Sequence, residues 1–513
     1  MKKLFFLLFL FSASLLAQQK EIIAYFPGGV VRHGVYSVKH METTGAAKKI
    51  TMIDYAFCSP APDSNGNILP VMDAFTAYEQ IYTADLSIDG VADDSTQTLR
   101  GNFNQLKKLK AKYPHIKMLI SIGGWGGSNY FSDAALTPES REKFVNAVID
   151  IFIRGNLPKA GTAGGPGSAA GLFDGVDIDW EYPLFGGTEE MHYDPNDNNN
   201  LSELFKLFRE KLDSIRPGLF LTAAIPGTTP YARNFNLKRD EPYIDWYNVM
   251  TYDFTNGFST VINHHTNLLS PENDTTGTGA YFSLDSSVKL FRDTLGISPD
   301  KIVPGAAFYG RGWMVKDTAY NGIGQENVKF LGFNSFSGLS GAGAKGYDLR
   351  WDTKAMAPYY FDPATKSFWT FDDEQSIALK MKYVDAHNLR GLMFWDISGD
   401  TSGILINALY TRAMPEIKEG NSNADGLHIR IITPAVSSKF KAGDNIIIDT
   451  ELNAQETAAK VEFFVDGKLI GYDTKAPYNW VWFNAQKGKH EIKVEASPPS
   501  KRKTAKKMHI IVE

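Results

Sequence analysis

The sequence predicts an α/β chain: a (β/α)8 barrel with a small α+β insertion, followed by a small all-β sandwich. Three observations carry this. Between residues 20 and 412, short apolar runs alternate with amphipathic stretches. Most of the runs are continuous rather than alternating, as expected of strands covered on both faces. After Arg412 the chain turns polar and then settles into short alternating strands.

The first strands are read near Ile22–Phe26, Met52–Cys58, Lys117–Gly123 and Gly175–Tyr182. The remaining four are read near Phe220–Ile225, Trp246–Asp253, Val303–Tyr309 and Gly391–Asp396. Helical spacing of apolar residues marks Phe103–Lys112, Glu139–Ile153 and Leu201–Ile215. Eight such units give a closed barrel. Leu157–Gly171 is rich in Gly, Pro and Ala and reads as a surface loop. Glu189–Asn200, after the fourth strand, reads as a loop on the barrel rim. The span from about Gly312 to Phe371 is too long for one crossover helix, so it reads as an inserted α+β unit. Residues 413–426 are a polar linker, and 427–513 carry the sandwich, with strands at Ile429–Ile432, Asn445–Thr450, Lys460–Val465, Asn479–Phe483, Glu491–Ala496 and Met508–Val512.

At the start, Met1-Lys2-Lys3 precedes an apolar run from Leu4 to Leu16 and then Ala17. That is the layout of a secretory signal peptide over residues 1–17, and the run is too short to span a bilayer. No Cys lies near Ala17 to take a lipid. The expected location is therefore outside a bacterial cytoplasm, periplasmic or extracellular. Cys58 is the only cysteine, so no intramolecular disulfide is possible. The 513-residue chain is 43% hydrophobic and 22% charged, enough for a core that needs no staple. Its net charge of -5 argues against nucleic acid as a partner. A monomer with no membrane partner is expected.

The chemistry concentrates in Phe173-Asp-Gly-Val-Asp-Ile-Asp-Trp-Glu-Tyr-Pro183. Period-2 spacing sends Asp177, Asp179 and Glu181 to one strand face. Like charges so placed repel, which raises at least one carboxyl pKa. A carboxylic acid kept protonated near neutral pH suits general acid work on a glycosidic oxygen. An acidic edge strand or an oxygen-ligand metal site would place the same residue types.

This segment resembles the D-G-x-D-x-D-W-E-Y-P signature of family 18 glycoside hydrolases, the chitinases, matched from Asp174 to Pro183 without departure. Ser121-Ile-Gly123-Gly124-Trp125 resembles the family's third-strand motif, and Met250-Thr-Tyr252-Asp253 its sixth-strand motif. Phe308-Tyr309-Gly-Arg311 and Gly391-Leu-Met-Phe-Trp395-Asp396 fall where strands seven and eight end. The resemblance implies that Glu181 protonates the leaving oxygen while the substrate's own acetamido oxygen attacks the anomeric carbon. It implies that Asp179 turns toward Glu181, that Asp177 shares the proton of Asp179, and that Tyr252 donates to the acetamido oxygen. Asp174, Met250, Asp253, Trp395, Arg311, Tyr182, Trp125, Tyr25 and Phe57 would bind the sugar chain. For Tyr25 and Phe57, plain packing is an open alternative. The insertion is one that such family members often carry, and it deepens the cleft. Two departures stand out: Gly126-Gly127 follows Trp125 where an aromatic is frequent, and Asp396 stands where Glu is frequent.

The expected activity is hydrolysis of β-1,4 bonds in chitin or chito-oligosaccharides, with no cofactor and no metal. An endo-β-N-acetylglucosaminidase on glycoprotein glycans or peptidoglycan is the rival enzyme, and a non-catalytic chitin-binding lectin the rival of another class. His264-His265 shows no zinc spacing and reads as structural. The C-terminal part resembles a bacterial immunoglobulin-like domain through Val461–Gly471 and Thr474–Trp482. There Tyr478, Trp480 and Trp482 share one strand face, read as sandwich core before sugar platform.

Overall fold

A computed structural model describes residues 20–270, 282–340, 347–412, 429–434, 440–452, 460–474, 478–497 and 503–513. The leader expected at 1–17 and the linker expected at 413–426 lie outside them.

Eight parallel strands form the barrel: Glu21–Pro27, Met52–Pro62, Lys117–Gly123, Gly175–Asp179, Phe220–Pro226, Trp246–Met250, Ile302–Ala307 and Gly391–Trp395. Each pairs with the next in chain order. Closure comes from the first strand, which pairs on one side with the second (Ile23 with Met52) and on the other with the eighth (Glu21 with Gly391). The two faces of each strand separate by period 2. Ile22, Ala24, Phe26, Ile53 and Ile120 turn outward into the large core shared with the helices. Ile23, Tyr25, Met52, Leu119, Trp246, Val303 and Met393 fill the barrel interior. Between these inward residues, in the same register, stand Asp54, Ser121, Asp177, Thr222 and Asn248, all fully buried. The barrel is therefore apolar at its strand starts and polar toward the ends where the strands leave it.

Helices Gly101–Lys112, Pro138–Val148 and Asp197–Ile215 lie where amphipathic spacing places them. The last begins inside the segment read as a rim loop; the buried Asp197 side chain anchors its start by accepting from the Ser132 hydroxyl and from the amide of Asp194, just before the helix. Leu157–Gly171, read as a loop, contains a short hairpin, Leu157–Ala160 with Ala163–Gly165.

The insertion is a five-stranded antiparallel sheet: Tyr309–Val315, Asn327–Ser335, Asp348–Asp352, Ala357–Asp362 and Ser367–Thr370. It starts at Tyr309, earlier than expected, because the seventh strand stops at Ala307. Arg311 thus belongs to the inserted sheet rather than to the barrel. Trp313, Phe361 and Phe368 give the sheet its own small core.

The C-terminal residues form two sheets, three-stranded and four-stranded. One strand, Lys468–Asp473, was not read from the sequence; Asp466-Gly467, both at positive φ, turns the chain into it. Tyr478 and Trp480 are buried in the sandwich core. This unit rests on the barrel's last long helix, Glu374–Ala386. Phe483 packs edge-on against Tyr383 at 5.4 Å, and Lys382 lies 5.1 Å over the Trp480 ring. Asn445 donates to Asp285 at 2.8 Å and Asn484 to the Ala386 carbonyl at 3.1 Å. Among the described residues, no helix is long and apolar enough to cross a membrane.

Candidate active site

The fourth strand ends at Asp179, so Asp177 and Asp179 point into the barrel and Glu181 stands just beyond its rim. Asp177 is the best-satisfied carboxylate of the site. Tyr25 donates to its Oδ2 at 2.9 Å and Ser121 to the same atom at 2.7 Å. Thr222 donates to Oδ1 at 2.6 Å, with Asn248 Nδ2 at 3.3 Å. Burial pushes the Asp177 pKa up, and those donors oppose the push.

Asp179 lacks such support. Its Oδ1 is buried without a hydrogen-bond partner. Burial, and then the charges of Glu181, Asp177 and Asp54, hold its carboxyl well above the usual range. Its backbone is fixed from the third strand: the Gly124 amide donates to the Asp179 carbonyl at 2.8 Å. Gly123, at φ 113°, must be glycine, since a Cβ there would sit 2.0 Å from that carbonyl oxygen. The Ser128 hydroxyl bridges the Asp179 carbonyl (3.0 Å) and the Glu181 amide (3.0 Å). Burial raises the Glu181 carboxyl to about 7; Tyr182 works against the rise and the charge of Asp253 adds to it.

Tyr252 enters from beyond the sixth strand, its hydroxyl 3.8 Å from Met393 Sδ. Room for its ring depends on Gly305, where a Cβ would meet it at 2.6 Å. Next to it, Asp253 takes the Tyr309 hydroxyl at 2.6 Å and Arg311 through Nε at 2.5 Å and Nη2 at 2.7 Å. Burial alone would raise Asp253, but His265 and the Arg311 guanidinium hold it well below the carboxylate range. Trp395 floors the cavity, stacked on Phe57 at 5.5 Å and tilted to Tyr25 at 5.9 Å.

These groups line one cleft of about 1090 Å³. Glu181, Asp179, Tyr252, Asp253, Met250, Tyr25, Phe57, Trp395, Tyr182, Trp125 and Arg311 all face it, with Asp177 directly beneath. One wall carries Trp125, Tyr182 and Tyr231, the last two stacked at 4.9 Å. The lining also includes Phe258 and Phe333, exposed by 86% and 74%. Aromatic walls around a few convergent polar groups suit a sugar chain.

Asp174 does not join them. It precedes the fourth strand, at the opposite end of the barrel, where Lys110 pairs with it at 2.7 Å and the Met118 amide donates at 3.0 Å. Its role there is to tie a helix and two strand starts together. Sequence reasoning also missed Asp54, Thr222, Asn248 and His265. The first three sit at inward positions of apolar strands, a parity visible once Met52, Phe220 and Trp246 are known to point inward. Among the described residues, no three His, Cys, Asp or Glu side chains are arranged to hold a metal ion.

Residues 22–400 match the family model of glycosyl hydrolases family 18, and residues 428–494 that of a bacterial Ig domain. Chitinase A1 of Niallia circulans is 31% identical over 431 residues, covering 77% of this chain and 58% of the relative. Chitinase C of Streptomyces lividans is 33% identical over 388 residues, covering 74% of this chain and 57% of the relative. The chain thus spans less than two thirds of the length of these relatives. Among solved structures, the catalytic domain of the psychrophilic chitinase B from Arthrobacter TAD20 superposes with a TM-score of 0.70 at 29% identity, over 77% of this chain and 95% of that one.

Proposed function

Because the chain belongs to glycosyl hydrolases family 18, we propose that it is a secreted chitinase that cleaves β-1,4 bonds between N-acetylglucosamine units with retention of configuration. One observation carries the reading: a carboxyl held near pH 7, Glu181, beside a carboxyl with an unpartnered oxygen, Asp179. The first has a proton to give; the second has an oxygen free to receive an amide N–H.

The substrate's acetamido oxygen bonds to the anomeric carbon as the bond to the leaving oxygen breaks. That oxygen takes the proton of Glu181. Asp179 turns toward Glu181 and accepts from the acetamido N–H, Asp177 keeps the proton it shares with Asp179, and Tyr252 donates to the acetamido oxygen. Water then attacks the same carbon, returns a proton to Glu181 and reopens the ring formed by the acetamido group. The two inversions leave the β configuration. Trp395 supports the sugar at the reacting position, and Trp125, Tyr182 and Arg311 hold its neighbours. The reading calls on no cofactor. Export through the leader at 1–17 and action as a monomer outside the cytoplasm complete it.

The test is the product profile on N-acetylglucosamine hexamer and colloidal chitin. Wild type is expected to release short oligomers, with kcat/KM falling as pH rises through about 7, where Glu181 loses its proton. Glu181→Gln is expected to lose on the order of a thousandfold or more in kcat. Release of glycoprotein glycans, with chitin untouched, would replace this reading by the endo-β-N-acetylglucosaminidase.

A further inference from the structure

The fourth strand pairs with the third as far as Asp179 and with the fifth as far as Ile178. Glu181 lies past the end of both ladders, and what meets its backbone there is a side chain. Ser128 is fully buried, and its Oγ accepts from the Glu181 amide at 3.0 Å. The same hydroxyl donates between two carbonyl oxygens, Gly124 at 2.9 Å and Asp179 at 3.0 Å. A single hydroxyl thus uses its proton and a lone pair at once.

The turn that delivers Ser128 is built for close approach. The Gly127 amide donates to the Gly124 carbonyl at 3.0 Å. A Cβ on Gly127 would stand 2.2 Å from the Gly123 carbonyl oxygen and 2.5 Å from Ser59 Oγ. One of the two glycines that depart from the family pattern is therefore what lets the turn close. Beyond Ser128, the Phe131 ring stacks on Trp180 at 5.3 Å, and the Phe131 amide returns to the Ser128 carbonyl at 3.1 Å. The segment from Gly123 to Phe131 grips the acid's strand end at the Asp179 carbonyl, the Trp180 ring and the Glu181 amide in turn.

We propose that Ser128 is a positioning residue for the acid: its hydroxyl stands in for a strand partner past the end of the sheet and fixes the Glu181 backbone, so that the carboxyl meets the glycosidic oxygen. The proposal rests on Glu181 being the general acid. Without the hydroxyl, the buried Glu181 amide loses its acceptor and the chain shifts to find another. A displacement of about 1 Å costs a positioned group on the order of a hundredfold in rate.

The test compares leaving groups. Cleavage of N-acetylglucosamine hexamer releases a sugar oxygen that needs the proton of Glu181. The 4-nitrophenyl glycoside of the dimer releases a phenolate that is stable without it. Ser128→Ala is expected to lose about thirty- to a hundredfold in kcat on the hexamer, with KM within about twofold, and less than about threefold on the aryl glycoside. Equal losses on the two substrates overturn the proposal, because a displaced Asp179 or a loosened fold gives that result. Unchanged activity on both overturns it as well. Should Ser128→Ala not fold, Ser128→Cys carries the same comparison, since sulfur fills the site but accepts weakly. A several-fold loss confined to the hexamer is then expected, and an equal or absent loss overturns the proposal. Glu181→Gln is the control for the underlying reading and is expected to spare the aryl glycoside far more than the hexamer. If it impairs both alike, or if wild type cleaves neither substrate, it is the assignment of Glu181 that fails, and the proposal falls with it.

Discussion

Asp54 and Asp177 are both carboxyls without a cation among the described residues, yet the barrel treats them differently. Asp177 collects four donors, whereas Asp54 has the Asn248 amide at 3.3 Å and a second oxygen with no partner. Burial, and then the charge of Asp177, raise Asp54 well above the carboxylate range. A carboxyl raised in the fold contributes its full stability only below its unfolded value, about 3.9. That contribution is lost as pH climbs toward the folded value. Asn at this position keeps the shape and removes the titration. Asp54→Asn is therefore expected to melt higher than wild type at pH 7, with the two melting curves converging near pH 4; calorimetry across that range checks it. Nothing in Met52-Ile-Asp54-Tyr marks Asp54, because a single acid in an apolar run reads equally as a strand-edge residue. Glu181 and Asp179 were legible because their spacing repeats, and repetition is what sequence patterns record. Asp174 sits in the same pattern and misled, since a motif gives no sign of which end of a five-residue strand meets the cleft.

The inserted sheet is an element with two duties. Its first strand, Tyr309–Val315, carries Tyr309 and Arg311 to Asp253, so the pocket's charge pair bridges barrel and insertion. Its second strand, Asn327–Ser335, presents Phe333 to the cleft. Large exposed apolar groups on a cleft wall point to stacking rather than to packing. Phe333→Ala is expected to raise KM for N-acetylglucosamine hexamer by about three- to tenfold and to leave kcat on the shortest cleavable oligomer unchanged, which steady-state kinetics on the two substrates checks. An equal loss on both would assign Phe333 to the fold instead. All eight barrel strands were legible, most because two-sided burial writes a continuous apolar run and the fourth because its acids alternate with apolar residues. The departures are of two kinds: Asp197 opens a helix inside an Asn-rich run that reads as loop, and Lys468–Asp473 is a whole strand whose apolar pair, Leu469-Ile470, is too short to show a period. The Asp466-Gly467 pair was the better signal.

In the whole molecule, the C-terminal sandwich and the barrel meet through matched groups. Tyr383, itself donating to Asp285 at 2.9 Å, is covered by Phe483. Asn484 sits at φ 49°, where Asn and Gly are the residues at ease, so Asn484→Gly removes the contact to Ala386 and keeps the turn. Wild type is expected to melt in one calorimetric transition. Phe483→Ala combined with Asn484→Gly is expected to separate it into two, because each unit then unfolds on its own. Unchanged melting in the double variant would show the contact to be incidental. None of this was legible in the sequence, where Phe483 and Tyr383 are two aromatics a hundred residues apart, each able to satisfy a core of its own.

The same contact bears on how such a chain can be reshuffled over evolutionary time. Lys382 meets Trp480, while Tyr383 and His387, whose ring lies 6.3 Å edge-on from Phe483, form the socket that receives Phe483. A lineage that traded this sandwich for an unrelated module would bare that socket to water, and a barrel from another lineage would offer the sandwich no counterpart. Helix and sandwich are thus expected to be inherited as a pair, with substitutions at Tyr383 answered by substitutions at Phe483.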